Sequence, residues 1–236
     1  MLALLLAAAL AAQVPSTAGR MQSRAITVEG VGKVTYGLSV PADYRREVPR
    51  PLILALHPGG SRMAYYGSAF ARQVVQPALG DFGAIVVAPD CPARGWDDPA
   101  ADKAVMALLN SLFEEFVIDR SRVLVTGFSM GGRGTWFMAS QHAELFTAAI
   151  PMAAFTGQTP VERLAAMPTY IIHSRDDEVV PFPPAERTAK ELERLGRTVQ
   201  FEALDGVGHF EMGGYIESLK RAGRWVAERW GKPAGR

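Results

Sequence analysis

The chain carries a series of short, continuously apolar segments, each cut off by proline, glycine or a polar cluster. Pro51-Leu52-Ile53-Leu54-Ala55-Leu56-His57 runs into Pro58-Gly59-Gly60, and Ala84–Pro89, Val123–Gly127, Ala148–Met152 and Thr169–His173 repeat the form. Runs of this length without alternation predict strands covered on both faces. Val199–Leu204 adds a sixth strand, and Ala25–Val40 reads as two more, turning at glycines. Between the runs the apolar spacing widens to three and four. Val105, Leu108, Leu109, Leu112, Phe113 and Phe116 form one stripe over Ala101–Phe116. Gly132–His142, Ala185–Leu195 (closed by Gly196) and Tyr215–Trp230 give three further helices. Buried strands alternating with helices predict an α/β fold, a mostly parallel sheet with helices on both faces. In such sheets ligands bind beyond the carboxyl ends of the strands, so chemistry is expected just after each run.

The first dozen residues depart from this pattern. Met1–Ala12 is almost pure Leu and Ala, too short to span a bilayer, and ends in Ala9-Leu10-Ala11, an A-x-A-like site. It reads as an export leader, without the usual basic start; the competing reading is a start at Met21. Residues 1–20 are therefore set apart from a single domain over 21–236, and a secreted or periplasmic location is expected. Charge narrows the picture further. With 25 basic and 24 acidic side chains the formal net charge is +1, so no field of one sign draws in nucleic acid. One cysteine, Cys91, excludes an internal disulfide, and four scattered histidines offer no metal-ligand spacing. No cofactor, metal, nucleic-acid partner or stable membrane insertion is expected, and a monomer is the default.

The strongest chemical signal is Gly127-Phe128-Ser129-Met130-Gly131-Gly132, which leaves a buried strand and opens a helix. G-x-S-x-G in that setting is a nucleophile elbow. The serine sits at the tip of a tight turn, where side chains two residues to either side would collide, and a helix N-terminus beneath it favours negative charge. A serine hydroxyl needs a base, and the base needs orienting. Of the three histidines that follow, His142 lies toward the end of the next helix and His173 closes a strand. His209, in Gly206-Val207-Gly208-His209-Phe210 just beyond the last strand, stands at the correct sheet edge. The acid belongs to the loop after the preceding strand, where Asp176, Asp177 and Glu178 stand in a row; Asp205 reads as a turn residue. Acyl transfer also requires N–H donors for the developing oxyanion. One is expected at Met130 and the other in the loop His57-Pro58-Gly59-Gly60-Ser61. Pro58 has no N–H, which leaves Gly59, Gly60 or Ser61, with Gly59 favoured. His57 is expected to hold this loop.

Taken together, Leu56-His57-Pro58-Gly59-Gly60, Asp119 through Gly132, His173 through Pro181 and Gly208-His209 resemble the α/β-hydrolase superfamily. More narrowly they are similar to small esterases that include dienelactone-hydrolase-like proteins, feruloyl esterases and polyhydroxybutyrate-depolymerase-like enzymes. The resemblance spans roughly residues 25–230. It implies an α/β-hydrolase fold and hydrolysis of short-chain or aryl carboxylic esters, small or polymeric, through an acyl-enzyme. By register with the family pattern it selects Asp177 as the acid, with Asp176 the runner-up and Glu178 solvated. The chain departs from the family at His57-Pro58 and His173-Ser174, where His-Gly is usual.

The short spans from Ser129 to Asp177 and on to His209 leave no room for a large cap, so an open, shallow site is expected. Trp96, Phe128 and Phe155 are candidate walls, with core packing the competing role for each. Two other functions share these features. A peptidase of the prolyl-oligopeptidase type has a similar elbow but normally carries a gating domain. A non-catalytic binding protein on the same fold would not need the serine, acid loop and histidine together.

Overall fold

The computed structural model describes residues 19–60, 63–157, 159–164 and 167–231. Residues 1–18 of the segment expected to be an export leader lie outside them. Eight strands form one sheet: β1 (Gln22–Val28), β2 (Gly32–Ser39), β3 (Arg50–Leu56), β4 (Ile85–Pro89), β5 (Ile118–Phe128), β6 (Ala148–Met152), β7 (Thr169–Ser174) and β8 (Val199–Leu204). Their spatial order is β1-β2-β4-β3-β5-β6-β7-β8. The pairs β1–β2 and β2–β4 are antiparallel, and every pairing from β4 to β8 is parallel. The six apolar runs are thus the six parallel strands.

Period-two alternation divides each strand between two cores. Leu52, Leu54 and Leu56 pack under α3 (Pro99–Glu115) and α4 (Met130–Gln141). Ile53 and Ala55 point to the other face, where α6 (Ile216–Trp230) lies with a helical stretch after β3. That stretch comprises α1 (Tyr66–Phe70), a π-helical turn (Ala71–Val75) and α2 (Gln76–Leu79). α5 (Phe182–Arg194) covers β7 beside α4 through Trp136, Ile171, Ala189 and Leu192. Each fully buried aliphatic side chain contributes roughly 1.5–3 kcal/mol of transfer free energy, so residues on both sheet faces hold the strand tips in place.

The structure departs from the sequence pattern in two places. Tyr66–Leu79 is helical, where the pattern predicts no helix. Its stripe of Phe70, Ala71, Val74, Val75 and Leu79 has helical spacing, but Gly67 near its start, Pro77 inside it and the π turn break the signal. β5 also begins earlier than its apolar run, at Ile118, beyond a register shift opposite Arg50 and Leu52. Among the described residues no helix is long and apolar enough to cross a membrane.

Candidate active site

The elbow between β5 and α4 is built by backbone crowding. A Cβ on Gly127 would lie 2.3 Å from the Gly131 carbonyl oxygen, and one on Gly131 would lie 1.9 Å from that of Leu56. Only glycine at both positions lets β5 turn into α4 so close to β3. Ser129 between them adopts φ 55° and ψ −114°, a region that costs a non-glycine residue about 1–3 kcal/mol. The conformation is held from both sides. Ser129 N–H donates to Met152 O at 2.9 Å, and Arg133 N–H donates to Ser129 O at 2.9 Å. The result lifts the serine hydroxyl off the sheet above the N-terminus of a twelve-residue helix.

His209 reaches that hydroxyl from the loop after β8, with Nε2 2.9 Å from Ser129 Oγ. Its Nδ1 lies 2.8 Å from Asp177 Oδ2. The Asp177 side chain is wholly enclosed, and that of His209 nearly so. The other oxygen of Asp177, Oδ1, accepts the N–H groups of Val179 and Val180 at 2.9 and 2.7 Å. These bonds lock the carboxylate's rotation and leave Oδ2 for the imidazole. The three residues therefore form one hydrogen-bonded series across three loops.

The neighbouring carboxylates tie the same two loops together. Asp176 accepts from Gly206 N–H at 2.6 Å, and Glu178 accepts from His209 N–H at 2.9 Å. That second bond holds the Glu178 carboxyl below its ordinary range. Glu178 is exposed, as expected, but it also grips the backbone of the histidine, a contact that no sequence pattern signals. Asp205 pairs with Arg175 at 2.9 Å. The two remaining downstream histidines stand apart from the serine. His142 pairs with Asp102 at 2.6 Å. His173 is buried edge-on to Phe182, its Nδ1 3.0 Å from Ser174 O, and burial holds it toward the neutral form.

The loop after β3 approaches from the opposite side. A Cβ on Gly59 would lie 3.8 Å from that of Met130, so this loop and the elbow abut. Gly60 faces Tyr66 one residue further on, and Ser61 lies outside the described residues. His57 holds the loop in a single tautomer. Its Nδ1–H donates to Pro58 O at 2.7 Å while Nε2 accepts from Cys91 N–H at 3.0 Å. Burial keeps it neutral, as that double role requires. Trp96 Nε1–H donates to His57 O at 3.0 Å. Asp90, the first residue past β4, accepts from Gly67 N–H, Tyr65 N–H and the Thr35 hydroxyl, anchoring the start of α1. Its position just beyond a buried strand was a signal available in the sequence.

Two of the candidate walls are corrected. Trp96 is buried in the α3–α4 core, where its indole packs edge-on against His57. Phe128 is buried in the opposite core, its ring 5.2 Å from His209 and 5.0 Å from Tyr215, as a floor under the histidine. Both stand at strand-tip level, but Phe128, the last residue of β5, is turned into one core by the pleat, and Trp96, in the loop before α3, packs into the other. Phe155 does line a cleft, of about 670 Å³, together with Arg133, Phe137 and Arg163. A second cleft, of about 420 Å³, is bounded by Gly59, Gly60, Tyr66 and Met130.

Comparison with known proteins agrees with this architecture. Probable feruloyl esterase C of Aspergillus flavus is 29% identical over 171 residues, which is 66% of this chain and 60% of that protein. The Aspergillus niger protein of the same name is 26% identical over 177 residues, covering 70% and 62%. The chain thus spans about three fifths of the length of these relatives. A crystal structure of a thermostable esterase superposes with a TM-score of 0.77 at 27% identity, over 88% of this chain and 62% of that one. A ferulic acid esterase structure, 15% identical, superposes with a TM-score of 0.71 over 89% and 98%, and shows the shared fold. The family model described as PETase, PET hydrolase-like, matches residues 61–210, the segment that holds the elbow, the acid loop and His209. The chain, an α/β-hydrolase by fold, belongs to the PET hydrolase-like family.

Proposed function

We propose that the protein is a serine carboxylesterase acting on short-chain or aryl esters through an acyl-enzyme. The observation that carries this is the series from Ser129 Oγ through the His209 ring to the enclosed Asp177 carboxylate. In the proposed cycle Ser129 Oγ attacks the ester carbonyl while His209 Nε2 takes its proton. Asp177 holds Nδ1–H and stabilises the imidazolium. The oxyanion that forms is met by the N–H groups of Met130 and Gly59, on two loops packed against each other. Each such donor is worth roughly two to three powers of ten in rate. His209 then passes its proton to the leaving alcohol, the alcohol departs, and a water molecule attacks the acyl-enzyme by the same route. No step requires a cofactor.

The surroundings favour an apolar ester approached from solvent. Met63, Val179 and Phe210 are exposed large hydrophobic residues, and they stand on the loops after β3, β7 and β8 that surround Ser129. The names of the matched family and relatives, PET hydrolase-like and feruloyl esterase, support an ester with an aromatic acid. The Leu/Ala-rich composition of Met1–Ala12, read as an export leader, supports a secreted or periplasmic location.

The test is hydrolysis of 4-nitrophenyl esters from acetate to decanoate, and of methyl ferulate, by wild type and Ser129→Ala, with a fluorophosphonate label alongside. Activity and labelling that both vanish in the variant are expected. Absence of wild-type turnover on every ester, with cleavage of peptide 4-nitroanilides, would move the assignment to peptidase. Absence of labelling as well would move it to a binding protein.

A further inference from the structure

The 420 Å³ cleft beside the elbow has an uneven charge distribution. Besides Gly59, Gly60 and Met130 it is bounded by Lys33, Arg94 and Asp90. Asp90 is already engaged: Oδ1 accepts from Gly67 N–H, and Oδ2 accepts from Tyr65 N–H and the Thr35 hydroxyl. These three donors, from β2 and the start of α1, hold its oxygens in place and leave it little capacity for another hydrogen bond, while its charge offsets one of the two cations and the lining keeps a positive excess. Lys33 and Arg94, by contrast, are exposed, and neither forms an ion pair with any described residue. Other cations nearby are spoken for, as Arg133 is by Asp97 at 3.0 Å. Tyr66 adds a hydroxyl on the same wall. The cleft therefore presents two unpaired positive side chains and one saturated carboxylate, with the loops carrying the expected oxyanion donors at its edge.

From this we infer an anion subsite: Lys33 and Arg94 receive an ionised carboxylate carried by the ester substrate, at the end remote from the bond that Ser129 attacks. The preferred substrate class is then an ester with a second, free carboxylate, such as a dicarboxylic acid monoester or an ester of a hydroxy acid. The inference rests on the ester-hydrolase reading and adds the charge of the substrate to it. Its strength is that of solvent-exposed pairing, about two- to fivefold in kcat/KM for each cation and roughly tenfold for both, weakened as salt shortens the Debye length.

Two matched pairs of substrates test it. Mono-(4-nitrophenyl) glutarate against 4-nitrophenyl pentanoate places the charge on the acyl side. 4-Acetoxybenzoate against its methyl ester places it on the alcohol side. The readout is the ratio of kcat/KM, anionic over neutral, for wild type, Lys33→Gln, Arg94→Gln, the double variant and Arg187→Gln, a charge-removal control on α5. A wild-type ratio above one in either pair supports the subsite if it shrinks between about 0.02 and 0.5 M salt and falls about tenfold in the double variant but not in the control. A ratio at or below one in both pairs overturns the inference, as does a ratio that the double variant moves no more than Arg187→Gln. Activity on the neutral esters keeps these outcomes separate from failure of the esterase reading, which would abolish all four rates.

Discussion

Replacing Asp177 by Asn tests the most specific feature of the site, the two-sided hold on the acid. Asp177 Oδ1 is fixed by two backbone donors, Val179 N–H and Val180 N–H, and Oδ2 faces His209 Nδ1 at 2.8 Å. An asparagine has one oxygen for these two places. If the oxygen stays with the backbone, the amide NH₂ faces Nδ1, and the ring must become an acceptor there. Its proton then moves to Nε2, 2.9 Å from Ser129 Oγ, and the atom needed as a base becomes a donor. If the amide flips, the imidazole tautomer is preserved but two backbone N–H groups face an NH₂. Val180 N–H is part-buried, so leaving it unpaired costs about 1–3 kcal/mol, whereas Val179 N–H lies at an exposed position and can turn to water; the flipped form also lacks the negative charge that stabilises the imidazolium. Either route removes the reactive arrangement from most molecules.

The expected loss in kcat/KM is therefore about three to four powers of ten, or roughly 4–5.5 kcal/mol of barrier, with KM little changed. The assay is hydrolysis of a 4-nitrophenyl ester, with a thermal melt to confirm folding. Asp176→Asn is the paired control. Its bond is to Gly206 N–H at an exposed position, and an amide oxygen can replace it, so a loss under about tenfold is expected. A loss of less than tenfold in Asp177→Asn at unchanged melting temperature would refute the argument, as would equal losses in the two variants.

Other substitutions follow from the same geometry. Gly131→Ala would drive a methyl group into the Leu56 carbonyl, an overlap backbone cannot relieve, and should cost more than about 3 kcal/mol; soluble protein with a native melting temperature would contradict this. Glu178→Ala frees His209 N–H without touching the imidazole, so a several-fold fall in kcat with an unchanged melting temperature is expected, and Glu178→Gln should restore most of it because its oxygen still accepts. His57 is held below its ordinary value of 6.5 mainly by burial, so the unfolded chain binds its proton first as pH falls. The stability it contributes is present above about pH 6.5 and is lost as pH drops through the lower folded value; the melting temperature should decline from pH 7 to 5 less steeply in His57→Gln than in wild type.

What the sequence could reveal and what it could not divide along a physical line. The parallel strands were legible because burial on both faces leaves an unbroken apolar run, and a run such as Pro51–His57 has few alternative meanings. The elbow was legible because backbone crowding at Gly127 and Gly131 admits one residue type, so the constraint is written in the local sequence. Ser129 and His209 could be brought together from topology alone, since both follow parallel strands at the same sheet edge. The choice among three adjacent carboxylates was different in kind. Asp176, Asp177 and Glu178 all reach the loop that carries His209, and what separates them is which way each side chain leaves a single turn. That depends on two N–H groups closing onto Asp177, a feature of backbone geometry with no residue-type signature, and here only the resemblance could select one. The same reasoning explains Trp96 and Phe128, which stand at the expected height but on the other side. Strand-tip position follows from counting along the chain, whereas the side on which an indole or a ring falls depends on the packing of two cores against one sheet. Burial turns both residues to structural use, Trp96 bracing the loop of His57 and Phe128 flooring His209. The buried aromatic residues thus act from within the two cores, Phe128 on His209 and Trp96 on the loop of His57, and discrimination among substrates falls to the exposed side chains around the site, Met63, Phe210, Lys33 and Arg94.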